Sequence, residues 1–183
     1  MNQLKLNSFI LSLCFLLFSC TNVPENITPV DAFKLKPYLG QWYEIARLPH
    51  SFENNLTQVT AQYQLNEDGS VKVINRGLNL CDNKWEQAEG VAKFVGEQNK
   101  GHLKVSFFGP FYGAYVIFEL GPLSNGQYQY SFVSGPNTDY LWLLARQPDV
   151  SEKIKQDFIK QAELAGFNTQ NIIWTQLLTL CAD

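Results

Sequence analysis

The chain has only two histidines, His50 and His102, and four cysteines among 183 residues. A metal centre needs more ligands than that set offers, so no metal is expected. Lysine and arginine number 14 against 17 acidic residues, a net charge of −3. Without a basic excess to follow a phosphate backbone, the chain is not expected to bind nucleic acid. It lacks a Gly-x-Ser-x-Gly elbow, which leaves a serine hydrolase without that support. It lacks an internal repeat and any sign of a second domain. Eight Pro and twelve Gly exclude a collagenous or low-complexity chain. Its long apolar run, residues 9–18, is shorter than the roughly 20 residues that span a bilayer.

Aromatic residues are plentiful: thirteen Phe, eight Tyr and four Trp. With 45% hydrophobic and 17% charged residues, the chain can bury a core and is not a disordered tract. So many rings either fill that core or line an apolar cavity.

Residues 1–19 carry one charge, Lys5, ahead of the apolar run, as a signal peptide does. The run ends Leu17-Phe18-Ser19-Cys20, which resembles the bacterial lipobox. That resemblance implies cleavage before Cys20 and its acylation; an ordinary secretory signal is the alternative. Thr21 after the Cys, again by resemblance to bacterial lipoproteins, implies the outer membrane. Residues 20–30, with two prolines, read as a tether and residues 31–183 as the folded domain. After processing, Cys81 and Cys181 remain besides Cys20. In an exported chain such a pair suggests one disulfide, with two free thiols as the alternative.

Strand patterns fill residues 40–146. In residues 59–65 the odd positions are apolar and the even ones polar, so one face is buried. Turn sequences at 66–69, 82–84, 98–101 and 124–126 separate the runs. Eight strands are expected: 41–48, 59–65, one from 71, 85–95, 103–107, 112–120, 127–134 and 138–146. Ile154, Phe158, Ala162 and Ala165 then fall at helical spacing, with Asp149 or Ser151 to cap and Gly166 to stop. Residues 172–174 read as a short last strand. The expectation is all-β: an eight-stranded antiparallel up-and-down barrel, its one C-terminal α-helix packed outside. A β-sandwich is the alternative.

The segment Gly40-Gln41-Trp42-Tyr43-Glu44-Ile45-Ala46-Arg47 resembles the first signature of the lipocalins. Thr138-Asp139-Tyr140 resembles the second and Arg146 the third, in the family's order. The segments 107–113 and 139–144 narrow the likeness to the bacterial lipocalins, outer-membrane lipoproteins related to apolipoprotein D. The resemblance covers residues 31–180. It implies fold-marking roles for Gly40, Trp42, Thr138, Asp139 and Arg146. Physically, Trp42 can plug the closed end, Arg146 can lie on its ring, and Asp139 can accept hydrogen bonds from its turn.

Parity then selects the inward residues. The sets are Val59, Ala61, Tyr63 and Leu65; Val73, Asn75 and Gly77; Leu103, Val105 and Phe107; Tyr128, Tyr130 and Phe132; and Tyr140, Trp142 and Leu144. Tyr112 and Tyr115 are chosen from a run that is apolar on both faces. The candidate ligand wall is therefore Ala61, Tyr63, Asn75, Phe107, Tyr112, Tyr115, Tyr130, Tyr140 and Trp142. Plain core packing is the alternative role for each. Arg47 and His50 could meet a ligand's head group.

The resemblance implies a small lipid ligand, a fatty acid or lysophospholipid, and a non-enzymatic carrier without a cofactor. A homodimer stays open, since some relatives dimerise. The rival readings are a thiol enzyme using Cys81, a haem or pigment binder using His50 or His102, and a structural or stress-protective envelope protein.

Overall fold

The computed structural model describes residues 21–175 and residue 181. The signal segment and Cys20 lie outside the described residues.

Ten strands run between residues 40 and 145: β1 (Gly40–Arg47), β2 (Leu56–Leu65), β3 (Val71–Asn79), β4 (Lys84–Phe94), β5 (His102–Phe108), β6 (Phe111–Leu120), β7 (Leu123–Ser124), β8 (Gln127–Tyr128), β9 (Tyr130–Ser134) and β10 (Leu141–Ala145). A one-turn helix, α1 (Leu35–Tyr38), precedes them. Helix α2 (Glu152–Leu164) and a short strand, β11 (Ile173–Trp174), follow. The sheet order is β10-β9-β6-β5-β4-β3-β2-β1-β11, and β10 also pairs with β1. That pairing closes an eight-stranded antiparallel barrel, and β7 with β8 forms a small hairpin at its rim. Closure removes the free edges that an open sheet would expose.

Strand β1 serves three neighbours. Its first half pairs with β2, a bulge falls between Glu44 and Ala46, and Ala46 and Arg47 pair with β11. Thr175 ties the gap: its Oγ1 donates to the Glu44 carbonyl at 2.7 Å, and its own carbonyl accepts from Thr57 Oγ1 at 2.9 Å.

Two apolar layers hold the fold. One fills the lower barrel around Trp42, Tyr38, Val73, Leu103, Ile117 and Val133. The other lies outside, between the strands and α2, around Ile45, Phe132, Leu143, Phe158 and Ala162. Helix α2 begins at Ser151, whose Oγ accepts from the Ile154 amide, so Ser151 rather than Asp149 is the cap. It ends with Gly166 at φ +88°. The Gly166 and Phe167 amides donate to the Glu163 and Ala162 carbonyls, which satisfies the last turn.

Three sequence expectations differ from the fold. Residues 21–30 do not hang free as a tether. Ile27 is buried, the Val30 amide donates to the Ile117 carbonyl, and His102 Nε2 donates to the Thr21 carbonyl at 2.9 Å. The expected strand 127–134 breaks at Gln129, whose amide donates to the Pro122 carbonyl. The expected strand 138–146 starts only at Leu141, because residues 135–140 form a loop.

Candidate functional site

The barrel is closed at one end by a ring and a cation. Trp42 is fully buried, and its Nε1 donates to the Tyr38 carbonyl at 2.8 Å. The Arg146 guanidinium lies 3.8 Å above the Trp42 ring. Its nitrogens donate to the carbonyls of Pro37, Tyr38, Leu39, Gln41 and Tyr128. One fork of donors thus ties α1, β1 and β8 together. Burial draws the Arg146 pKa down to about 10. Thr138 and Asp139 sit in the loop before β10, at the opposite end. There the Asp139 amide donates to Asn137 Oδ1, so Asn137 is the acceptor in place of the expected Asp139.

Above Trp42 opens a cavity of about 660 Å³. Its floor is a set of tyrosines. Tyr115 Oη lies 2.7 Å from Tyr38 Oη and 2.9 Å from Tyr63 Oη, and Tyr38 also reaches Ser131 Oγ. Burial pushes Tyr38 up to about 12 and holds Tyr63 and Tyr115 well above the usual phenol value. The three therefore stay neutral and serve as a hydrogen-bonded base. The walls are mostly aliphatic, from Val59, Ala61, Val73, Leu103 and Val105. Phe52, Phe108 and Phe111 stand at the open rim, 60%, 80% and 73% exposed.

Seven of the nine candidate residues line this cavity: Ala61, Tyr63, Asn75, Phe107, Tyr115, Tyr140 and Trp142. Two do not. Tyr112 lies three residues from Tyr115, so a regular strand turns the two to opposite faces; Tyr112 packs outside beneath Lys104 Nζ, 4.9 Å from its ring centre. Tyr130 stacks on Phe132 at 5.4 Å in the layer under α2. The break at Gln129 reverses parity, so Tyr128 points in while Tyr130 and Phe132 point out and Ser131 and Val133 point in. Leu65, also expected inward, ends β2 at 56% exposure.

A polar cluster interrupts the apolar wall near the mouth. Glu44, on the Trp42 face of β1, and Glu53, in the turn Ser51–Glu53, both line the cavity and are buried. Arg47 Nη1 donates to Glu44 Oε1 at 2.6 Å. Its Nη2 donates to the Glu53 and Leu56 carbonyls, and its Nε stands 3.9 Å from Glu53 Oε2. Trp142 Nε1 donates to Glu53 Oε2 at 3.2 Å. Arg47 is therefore committed to the wall and does not present a free head-group donor, contrary to expectation. Burial, helped by the neighbouring Glu53, pushes Glu44 well above the carboxylate range; Arg47 opposes it. Burial also raises Glu53, against the pull of Arg47 and Trp142.

Parity with Trp42 could have pointed to Glu44. No periodicity marks Glu53 or Phe52, which lie in an irregular turn, nor Tyr38 in α1. Cys81, in the β3–β4 turn, is joined to Cys181 by a disulfide. Its thiol is thus not a free nucleophile.

A one-ended, ring-plugged barrel around an apolar cavity defines a small-molecule binding protein of lipocalin type. A lipocalin-like domain profile matches residues 33–177, and the chain belongs to the lipocalin family. The chain is 50% identical over 168 residues to outer membrane lipoprotein Blc of Vibrio cholerae, covering 92% of this chain and 96% of that one. It is 44% identical to the Escherichia coli K12 protein of the same name, covering 88% and 90%. Apolipoprotein D of Macaca fascicularis is 36% identical, covering 80% and 75%. Insecticyanin of the tobacco hornworm has the same fold at 17% identity, with a TM-score of 0.65 over 87% of this chain and 89% of that one.

Proposed function

We propose that the protein is a membrane-anchored carrier that binds a fatty acid or lysophospholipid, tail first, in the barrel. The observation that carries this reading is the 660 Å³ cavity, apolar in its walls and open at one end. That size lies within the range of small-ligand pockets, about 300–1,000 Å³. Each buried methylene favours binding by about 0.8 kcal/mol before ordering costs. The Tyr38–Tyr63–Tyr115 floor limits the depth a tail can reach. Affinity should therefore rise with acyl length and then level off once the tail meets the floor. Displacement of a fluorescent probe by saturated acyl ligands of increasing length measures this. A flat series would sink the carrier reading in favour of a structural envelope role.

The anchor is Cys20, acylated after cleavage at Leu17-Phe18-Ser19-Cys20, in the bacterial outer membrane. The names of the Vibrio and Escherichia relatives support this. Replacing Cys20→Ala should move the mature protein from the outer-membrane fraction to the soluble one; retention in the membrane would refute acylation there.

A further inference from the structure

Near the mouth the cavity wall carries the Glu44 and Glu53 carboxyls, and the Arg47 guanidinium that holds them is spent. Arg47 is only 2% exposed, and its donors are directed to Glu44, to Glu53 and to two backbone carbonyls. With both carboxylates ionised, the cluster is left one negative charge in excess. His50 does not supply the missing cation bond. Its side chain is 5% exposed and its Nε2 stands 3.1 Å from Glu53 Oε2, yet out of line. Neither ring nitrogen has a hydrogen-bond partner among the described residues. On β3, Asn75 Oδ1 is a buried acceptor without a hydrogen-bond partner among the described residues. The wall thus offers a buried carboxyl pair whose one guanidinium is already engaged, and it sits beneath rings. His50 stacks on Phe52 at 4.0 Å, and Tyr140 stacks on Trp142 at 6.2 Å.

We propose that Glu44 and Glu53 form a head-group subsite that selects ammonium-bearing lipids over carboxylate-bearing ones. This rests on the carrier reading above and narrows it. A ligand ammonium brings the donors and positive charge that the cluster lacks, with aromatic faces around it. A ligand carboxylate in the same place crowds a further acid against Glu44 and Glu53, with Arg47 already engaged. The other charges on the lining do not change this balance. Arg76 lies 4.2 Å from the Trp85 ring centre, and Glu86 accepts from Asn79 Nδ2.

Three C12 ligands that differ only at the head isolate the effect: dodecylammonium, dodecanol and dodecanoate. Probe displacement at pH 7 should rank them in that order, with about a tenfold or larger gap between first and last. Glu53→Gln should shrink the gap to about twofold; near-UV circular dichroism checks its fold, and Glu44→Gln carries the same test if that variant unfolds. Dodecanoate binding as tightly as dodecylammonium, or a gap that survives in the folded variants, would overturn the subsite and leave the carrier reading intact. Failure of all three ligands, dodecanol included, would overturn both.

Discussion

His50 shows what one buried ring does at the rim of a charged cluster. Burial, followed by the Arg47 charge, draws its pKa from the ordinary value of 6.5 to about 4. The native ring stays neutral where an unfolded one is already protonated. Its contribution to stability is therefore complete above pH 6.5 and is lost as the pH falls through about 4. Glu44 and Glu53 act with the opposite sign. Their raised pKa values favour the native state in acid, and that advantage disappears as the pH rises through their native values. Comparing the wild type with His50→Asn cancels most of the carboxyl contribution. Urea titrations between pH 7 and pH 4 should show the wild type losing up to about 3 kcal/mol more than the variant. Parallel loss in both proteins would mean that the native ring is protonated, held by Glu53.

At the scale of elements, what the sequence reveals depends on what covers each strand. Strands β2 and β5 have one face on the cavity and one toward solvent, so Ala61, Tyr63, Leu103 and Val105 were legible from alternation alone. Strand β9 has no such contrast. Helix α2 covers its outer face, and Phe132 and Phe158 meet edge to face at 5.0 Å. Its inner face carries Ser131, which looks solvent-facing in sequence but bonds Tyr38 inside the barrel. Polarity therefore indicates the wrong side and points Tyr130 into the cavity, whereas the ring packs under α2. The helix itself was legible, because Ile154, Phe158, Ala162 and Ala165 keep one period against one surface. The turn that positions Glu53 has no period at all. That account makes α2 part of the barrel wall. Phe158→Ala removes a fully buried ring from the layer between helix and sheet and should cost about 3–5 kcal/mol in denaturant unfolding. A cost below about 1 kcal/mol would mean that the helix packs loosely.

For the whole molecule, the binding end is held by elements far apart in the chain. The cavity needs a void, so the barrel cannot fill its upper half with packed side chains; the layers at the closed end and under α2 must hold it. Closure joins β1 to β10, across most of the sequence, and β11 returns to the open half of β1 at Ala46 and Arg47. The Cys81–Cys181 disulfide extends this pattern. It links the β3–β4 turn at the open end to the chain's end, with a sequence separation of 100. A loop of that size restricts the unfolded chain by about 4–5 kcal/mol in the chain-entropy model. Neither cysteine lines the pocket. Replacing both, Cys81→Ser with Cys181→Ser, should therefore lower stability by about 2–5 kcal/mol while acyl-ligand affinity at 25 °C changes less than about twofold. Melting and probe displacement on the same samples separate the two effects. A large loss of affinity in a protein that is still folded would mean that the disulfide shapes the mouth as well as stabilising the fold, because the β3–β4 turn would then have to be clamped for the cavity to admit its ligand.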